Sequence, residues 1–446
     1  MSQRAAHTLP HSTEAEKAVL GAILRDSDLQ LLNLVVDKLR PDHYFLDSHQ
    51  RIYAAMLELY GGNQPTDLLT VADKLRRQAK GADDIGPAYL VELMEAAPVA
   101  SNIEYYAGIV SDNFYLRQII NACQSVVLKA MSYDGGVKEL VEEIEKEFIS
   151  ITNSHDRKGL ILARDVLERT LADLEQRLAN DGTLTGVPSG FKDLDRMTGG
   201  WQKSDLILIG ARPGMGKTAF ALNCALNAAR EGKGVAVFTL EMADTQLMMR
   251  LLSAEGRVDS GKLRKGDLDD EERDRLMLGA RELYKLNLGI DETPGITILE
   301  LRSRCRRFKK ERGLDLIIID YLQLMRGSVT KKYDSREHEI SEVSRELKAL
   351  AKELNVPIIA LAQLNRGVEK RTDRTPQISD LRESGSIEQD ADIILMLYRD
   401  EYYNKDSDST GVALLKLAKN RHGSTDDVQL AFLPNFMKFA DLYKAP

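Results

Sequence analysis

The chain has little cysteine and almost no tryptophan: three Cys and one Trp in 446 residues. Cys123, Cys224 and Cys305 lie far apart and lack CxxC spacing, which excludes a zinc ribbon or a disulfide framework and fits a reducing cytoplasm. No apolar run approaches the roughly 18 residues that a membrane span needs, so no membrane role is expected. The opening stretch, MSQRAAHTLPHSTEAEKAVL, lacks the basic, then apolar, then small-residue order of a signal peptide. The seven histidines are scattered without metal-ligand spacing. No repeat with a period of roughly 20–50 residues occurs, and no low-complexity tract. Positive charge is not in excess either. With 61 Lys and Arg against 69 Asp and Glu, the net charge is −8. That argues weakly against a surface coated by nucleic acid and leaves room for a single strand in a local basic channel.

What remains is ordinary globular composition, 43% hydrophobic and 29% charged, at a length that favours two or three domains. Residues 13–152 read as helical throughout. Val19, Ala22 and Ile23 share one face at helical spacing, and SHQRIYAAMLELYGG and LTVADKLRRQ continue the period. Runs at 102–131 and 137–152, separated by SYDGG, predict a helical hairpin with a glycine turn. A polar linker, ITNSHDRKG, follows. LARDVLERTLADLEQRLAN then forms one amphipathic helix with Val166, Leu167, Leu171, Leu174 and Leu178 on a stripe. That stripe has to bury itself, either on its own domain or on a neighbouring copy. From residue 186 the texture changes to short apolar runs (LILIG, GVAVFTLE, LDLIIID, VPIIALAQ, ADIILMLY), most of them separated by helical patterns. This alternation predicts a largely parallel sheet covered by helices. Closely spaced VALLKLAKNR, DDVQLAFLPN and FMKFADLY predict an antiparallel edge. The expected organisation is an all-α N-terminal domain over 1–152, a linker and linker helix over 153–185, and an α/β domain over 186–446.

The strongest chemical signal is ARPGMGKT, 211–218, between the strand LILIG and the helix TAFALNCALNAARE. That context is what a P-loop requires. Gly214 and Gly216 let backbone N–H groups turn inward around phosphate oxygens, and the helix start at Lys217, Thr218 and Ala219 adds a favourable dipole. Lys217 is expected to reach the β- and γ-phosphates of ATP, and Thr218 to ligate Mg²⁺. Ala211 stands where the first glycine of GxxxxGK[ST] usually falls. Asp320 ends the apolar strand LIIID and is expected to hold the Mg²⁺ shell.

Hydrolysis also needs a group beside the attacking water. Tyr321, not Glu, follows Asp320; instead GVAVFTLE finishes at Glu241, a placement that resembles the RecA-like ATPases. The alternative is a glutamate that caps the helix beginning at EMADTQ. Gln363 ends IIALAQ, where an amide can report the γ-phosphate to the next loop; otherwise it is a polar strand end. That loop, NRGVEKRTDRTPQISDLRESGSIEQDAD, is long and charged, hence either functional or a mobile surface loop. Its Arg382, Glu383 and Gly385 suit contact with the backbone of a single strand, without aromatic stacking. Lys419 and Arg421, in KLAKNRHGSTDD, share one side of a hairpin tip and could enter a neighbour's ATP site as an arginine finger, or mark a solvated turn. Arg250 could meet the nucleotide or brace the site. RSRCRRFKKER, within 302–312, reads as a solvated basic face.

In order, ARPGMGKT, TLEM, LIIIDYLQLM, AQLNR, SDLRESGSIEQDAD and KNRHG resemble the DnaB family of replicative helicases, across nearly the whole chain. The resemblance implies a hexameric ring with a collar of paired helical hairpins. It implies a linker helix docked on the adjacent ATPase domain and ATP between subunits. Lys217, Thr218, Glu241, Asp320 and Gln363 would serve one face of that site, and Lys419 and Arg421 the other, from the neighbour. Arg382, Glu383 and Gly385 would grip single-stranded DNA in the channel. Movement is 5′ to 3′, and primase and a helicase loader are partners. A RecA-like recombinase, or an ATP-dependent scaffold without unwinding, are the rival readings.

Overall fold

The computed structural model describes residues 8–442, apart from 27–28, 63, 79–84, 98–101, 138–139, 142, 146, 149–150, 152–161, 180–183, 328–335, 372 and 405–408; at 169, 172–173, 176–179 and 382–386 it describes the backbone alone. The chain divides into two compact units, 1–169 and 170–446.

The first unit is helical, as the sequence predicts. Its helices are α1 (Thr13–Arg25), α2 (Gln30–Val35), α3 (Asp47–Gly61), α4 (Leu68–Gln78), α5 (Pro87–Ala96) and α6 (Ile103–Met131). Ser12 starts α1 by accepting from the Ala15 N–H at 3.3 Å, with Glu14 and Glu16 in the first turn and Arg25 in the last, each sign matched to the helix dipole. Val19, Leu20 and Ile23 of α1 pack with Ile52, Met56, Leu90 and Val110 in one core. Two groups inside are polar and satisfied. His49 Nδ1 lies 2.6 Å from Glu16 Oε2, and Glu16 Oε1 accepts from the Phe45 N–H at 2.7 Å. The hairpin is present too. Described residues between 137 and 151 are helical, and Lys129 on α6 pairs with Glu143 at 2.7 Å. Helix α7 (Ala163–Ala179) covers the run that the sequence reads as one amphipathic helix. Val166, Leu167, Leu171 and Leu174 of its stripe are 45–56% exposed; the Leu178 side chain lies outside the described residues.

The second unit is built on one nine-stranded sheet, in the order β3-β2-β4-β5-β1-β6-β7-β8-β9. Its strands are β1 (Leu206–Ala211), β2 (Val235–Thr239), β3 (Leu288–Asp291), β4 (Leu316–Asp320), β5 (Ile358–Gln363), β6 (Ile393–Tyr398), β7 (Val412–Asn420), β8 (Asp427–Leu433) and β9 (Lys438–Asp441). The six strands up to β6 are parallel to one another; β7, β8 and β9 add antiparallel at one edge. Residues of one strand alternate between faces, so the sheet has two cores. Ile207 and Ile209 of β1 face one, with Phe220 and Cys224; Leu206 and Leu208 face the other, with Leu347 and Leu350. The first core is roofed by α8 (Lys192–Thr198), α9 (Lys217–Arg230) and α10 (Asp244–Gly256), followed in the chain by α11 (Ser260–Lys265) and α12 (Asp270–Tyr284). The second is roofed by α13 (Ile298–Arg312) and α14 (Arg336–Leu354). Capping boxes, Asp269 with Glu272 and Thr297 with Glu300, fix where α12 and α13 begin. Strand β3, which sequence reading misses, is only four residues long and half-buried at the sheet edge. Its pattern is too short to separate from the end of α12.

The long loop after β5 is neither structureless nor a free surface segment. It holds 3₁₀ turns at Arg366–Lys370 and Ile378–Ser384 and a short helix, α15 (Gly385–Asp390). Val368, Leu381 and Ile387 are buried, and Arg371 pairs with Asp380 at 2.7 Å. Apolar residues within a polar stretch thus tether it to the second core.

Candidate active site

The site begins where β1 ends. Gly214 and Gly216 adopt φ of +80° and +98°, the left-handed region where a side chain is strained. A Cβ on Gly214 would stand 2.8 Å from the Tyr402 ring, and one on Gly216 3.0 Å from Phe439. Gly216 directly precedes α9, so the free N–H groups at the helix start lie beside the loop. Ala211 completes β1, buried, without loss of the turn. Ala219 is buried in the first turn of α9.

β4 delivers the carboxylate. Asp320 ends this strand, two strands from β1, and is 3% exposed. Thr218 Oγ1 donates to its Oδ2 at 2.6 Å. Lys217 Nζ stands 3.7 Å from its Oδ1 and 4.5 Å from the centre of the Tyr321 ring. Burial pushes the Lys217 ammonium below its ordinary pKa, and the Asp320 and Glu241 carboxylates oppose that shift. Asp320 Oδ1 is buried without a hydrogen-bond partner. An orphaned carboxylate oxygen beside a hydroxyl is the oxygen donor set that suits Mg²⁺. The glycine loop and Lys217 suit the phosphates of ATP.

Arg250 projects from α10 into the same field. Its burial lowers the guanidinium pKa, while Asp320 and Glu241 counter it. Glu241 needs one correction: β2 ends at Thr239, so Glu241 lies two residues past the strand, in a bend, and is exposed rather than a strand terminus. It does not cap α10 either, because the residue in that position is Ala243. The strand stops early because the Thr239 hydroxyl closes a turn with Met242, donating to its carbonyl at 2.8 Å and accepting from its N–H at 3.2 Å. Gln363 does end β5 and stands opposite Ala211 in register. Its backbone is clasped by a residue that sequence reading missed. Gln323 donates Nε2 to the Gln363 carbonyl and accepts from its N–H, both at 3.3 Å. A polar side chain inside the apolar string YLQLM was the available signal for Gln323. Arg399 had none: its guanidinium lies 4.1 Å over the Phe432 ring and donates to the Gly214 carbonyl at 3.3 Å.

Two expected groups are not brought to this end of the sheet. Lys419 is the last residue but one of β7 and Arg421 follows the strand; Asn420, its last residue, pairs with Ile393, and Ile393 with Ile207 near the start of β1. The P-loop leaves from the other end of β1, roughly 15 Å away at about 3.3 Å per residue. Lys419 and Arg421 do point the same way, as the spacing predicts. Lys419 Nζ donates to the Glu388 carbonyl at 2.6 Å, and Arg421 Nη2 to the Gln389 carbonyl at 2.9 Å. Partial burial and the Arg421 charge hold the Lys419 pKa down. The side chains of Arg382 and Glu383 lie outside the described residues; their backbone belongs to the 3₁₀ turn before α15, and Gly385 is the first residue of that helix.

The basic run of α13 is a paired face. Arg304 bonds Asp291, Arg302 and Arg306 bond Glu353, and Lys309 donates to the Leu354 carbonyl. Cys224 and Cys305 are buried and free, and Cys123 is free and exposed. Among the described residues no cluster of three metal-ligating side chains occurs, and no helix is long and apolar enough to cross a membrane.

Comparison with known proteins agrees with this geometry. Residues 186–441 match the DnaB-like helicase C terminal domain, and residues 8–112 the DnaB-like helicase N terminal domain. The chain is 44% identical over 434 residues to the replicative DNA helicase DnaC of Bacillus subtilis (strain 168), covering 97% of this chain and 95% of the relative. It is 43% identical over 446 residues to the replicative DNA helicase DnaB of Haemophilus influenzae, covering 97% and 94%. Among solved structures, a DnaB-like replicative helicase, described together with its interactions with primase, aligns with a TM-score of 0.78 at 35% identity, over 97% of this chain and all of that one. A separate solved ATPase domain aligns at 0.60 and 41% identity, over 62% of this chain and 99% of that one. A helical N-terminal domain, a P-loop on a mostly parallel sheet, and these full-length likenesses place the chain in the DnaB-like family of replicative DNA helicases, enzymes that separate DNA strands at the expense of ATP.

Proposed function

We propose that six copies close into a ring around single-stranded DNA, that each ATP site lies between two copies, and that the ring moves 5′ to 3′ while excluding the other strand. The domains run over 1–152 and 186–446, joined by the segment 153–185. The observation that carries this reading is the separation within one chain. The P-loop, Asp320 and Glu241 gather at one end of the sheet, and the basic pair Lys419 and Arg421 at the other. A chain so arranged completes no site alone and completes its neighbour's in a head-to-tail ring, where the rotation closes.

Bound ATP with Mg²⁺ supplies the phosphoryl bond whose hydrolysis drives the motor. Lys217 neutralises the β- and γ-phosphates, and the N–H groups of Gly214, Gly216 and Ala219 cradle them. The Thr218 hydroxyl and Asp320 would hold the metal through oxygen. Glu241, exposed beside Asp320 and free of a capping duty, takes the proton of the attacking water. Arg250 braces the carboxylate pair. The Gln363 amide senses the γ-phosphate, and through the loop that follows couples it to Arg382, Glu383 and Gly385 on the DNA backbone. Arg421, with Lys419, enters from the neighbour and stabilises charge on the transferring group. Primase and a helicase loader are the protein partners, and the setting is the cytoplasmic replisome; one solved relative is itself described by its interactions with primase.

ATP-driven unwinding of forked duplexes with either a 5′ or a 3′ loading tail tests this, with Lys217→Ala beside the wild type. Strand separation is expected only with the 5′ tail and only with Lys217. ATPase stimulated by single strands, with no unwinding on any fork, would instead favour a recombinase or a scaffold.

A further inference from the structure

Lys419 and Arg421 are held in place by a buried anchor to which sequence reading gives no role. Asp392 directly precedes β6 and is 3% exposed. Its Oδ1 accepts from Arg421 Nη1 at 3.0 Å, and its carbonyl accepts from the Arg421 N–H at 3.0 Å. Its Oδ2 accepts from the Leu206 N–H at 2.8 Å and pairs with Lys348 of α14. One carboxylate thus joins Arg421 to the starts of β1 and β6. The remaining polar atoms of the basic pair go to α15. Lys419 reaches the Glu388 carbonyl at 2.6 Å and stands 3.5 Å from that of Gln389, and Arg421 Nη2 reaches Gln389 at 2.9 Å. These are last-turn carbonyls, without intrahelical partners and at the negative end of the helix dipole, so cations settle there. The end of α15 is itself fixed, because Ser344 of α14 donates to Asp390 Oδ2 at 2.8 Å. The helix starts at Gly385, one of the proposed strand-gripping residues, about 7.5 Å from its end at 1.5 Å per residue.

We propose that Asp392 and the Glu388 and Gln389 carbonyls form a socket that positions Arg421 and Lys419 for the neighbouring subunit, and that α15 carries strand contact at its first residue to that socket. The inference rests on the reading of Arg421 as a group acting in trans. Asp392 is a positioning residue, since it touches neither nucleotide nor DNA. It also explains how one hairpin tip, half exposed, keeps two flexible cations aimed together. Asp392 and the α15 carbonyls take up the hydrogen bonds that each side chain would otherwise spend on water.

Asp392→Asn keeps the size, and with its oxygen kept as acceptor for the Leu206 N–H it turns an amide N–H₂ toward the Arg421 guanidinium, donor against donor. In assembled rings, DNA-stimulated kcat is expected to fall about 10–100-fold, the cost of a misplaced catalytic group, with KM for ATP within about twofold, because the variant's own P-loop is intact. Mixed rings identify the interface affected. Asp392→Asn subunits blended with Lys217→Ala subunits contain junctions that pair a sound P-loop with a sound socket, so hydrolysis is expected to exceed that of either parent. Arg421→Ala blended with Lys217→Ala is the control. If the control gains activity and the Asp392→Asn blend does not, or if Asp392→Asn turns over like wild type, the socket is wrong. A control that gains nothing overturns the trans reading itself and the socket with it. Should Asp392→Asn fail to assemble, Ser344→Ala decides: a lower kcat, restored by blending with Lys217→Ala, supports the socket, and wild-type turnover refutes it.

Discussion

At the residue scale, the site is read from atoms that have too few or too many partners. Asp320 Oδ1 is buried without a hydrogen bond, while its other oxygen takes the Thr218 hydroxyl. Glu241, by contrast, is exposed a few residues beyond β2, so it is available to water. Glu241→Gln should therefore bind ATP normally and lose about 10²–10⁴ in kcat, the usual range for general base removal; nucleotide-binding and steady-state assays on the same preparation would separate the two. An equal loss of binding would make Glu241 a structural residue. Burial raises the thiol pKa of Cys305 to about 12 and that of Cys224 well above the ordinary value. A raised acid pKa means fewer thiolates in the folded chain, so at about pH 8 neither should alkylate, and reactivity should climb only toward strongly alkaline pH or on unfolding. Mass-resolved iodoacetamide labelling checks this; rapid native labelling of Cys305 would contradict its packing. Lys217 and Thr218 were legible in the sequence because motif spacing on a strand–turn–helix fixes them, and Asp320 because it ends an apolar strand. Gln323, Arg399 and Asp392 were not, because each acts through a partner distant in the chain: Gln363 lies 40 residues from Gln323, Gly214 185 from Arg399, and Leu206 186 from Asp392.

At the element scale, periodicity identified every strand but β3, and several of the helices, α1, α3, α4, α6, α7 and α9 among them. It found the all-helical front unit and the largely parallel sheet with its antiparallel edge. It missed β3 and the 3₁₀ turns of the loop after β5, where segments are too short for a period to register. It placed the end of β2 two residues too far, because the turn there is closed by the Thr239 side chain and not by a change in hydropathy. Helix α7 shows the limit differently. The pattern gave the stripe but not its cover, and in the chain Leu171 and Leu174 are each 48% exposed. Replacing both with Asp removes only about half a side chain's burial at each position from the single chain. The unfolding midpoint should therefore fall by only a few degrees, roughly 2–4 °C. Assembly should shift to smaller species in light scattering, since an apolar stripe buried between copies contributes about 25 cal/mol per Å². Unchanged assembly would show that the stripe docks on nothing.

At the scale of the whole molecule, function follows from what one chain lacks. The P-loop and the Lys419–Arg421 pair occupy opposite ends of one sheet, so turnover should depend on assembly. Serial dilution should lower ATPase per subunit at the concentration where light scattering shows the ring dissociating. Activity that stays constant per subunit through dissociation would place a complete site in each copy. Residues 186–446, with both sheet cores intact, should fold alone and show this dependence more steeply, lacking α7.

The sequence by itself determined the chemistry and the class of fold, because phosphate cradling and strand–helix alternation are local: a few residues at fixed spacing carry each. The tertiary structure alone decided which groups share an end of the sheet. Strand order and direction set that, and they put Arg421 against Asp392 and α15 rather than against Lys217. Register between strands is a property of long-range pairing, which no window of sequence contains.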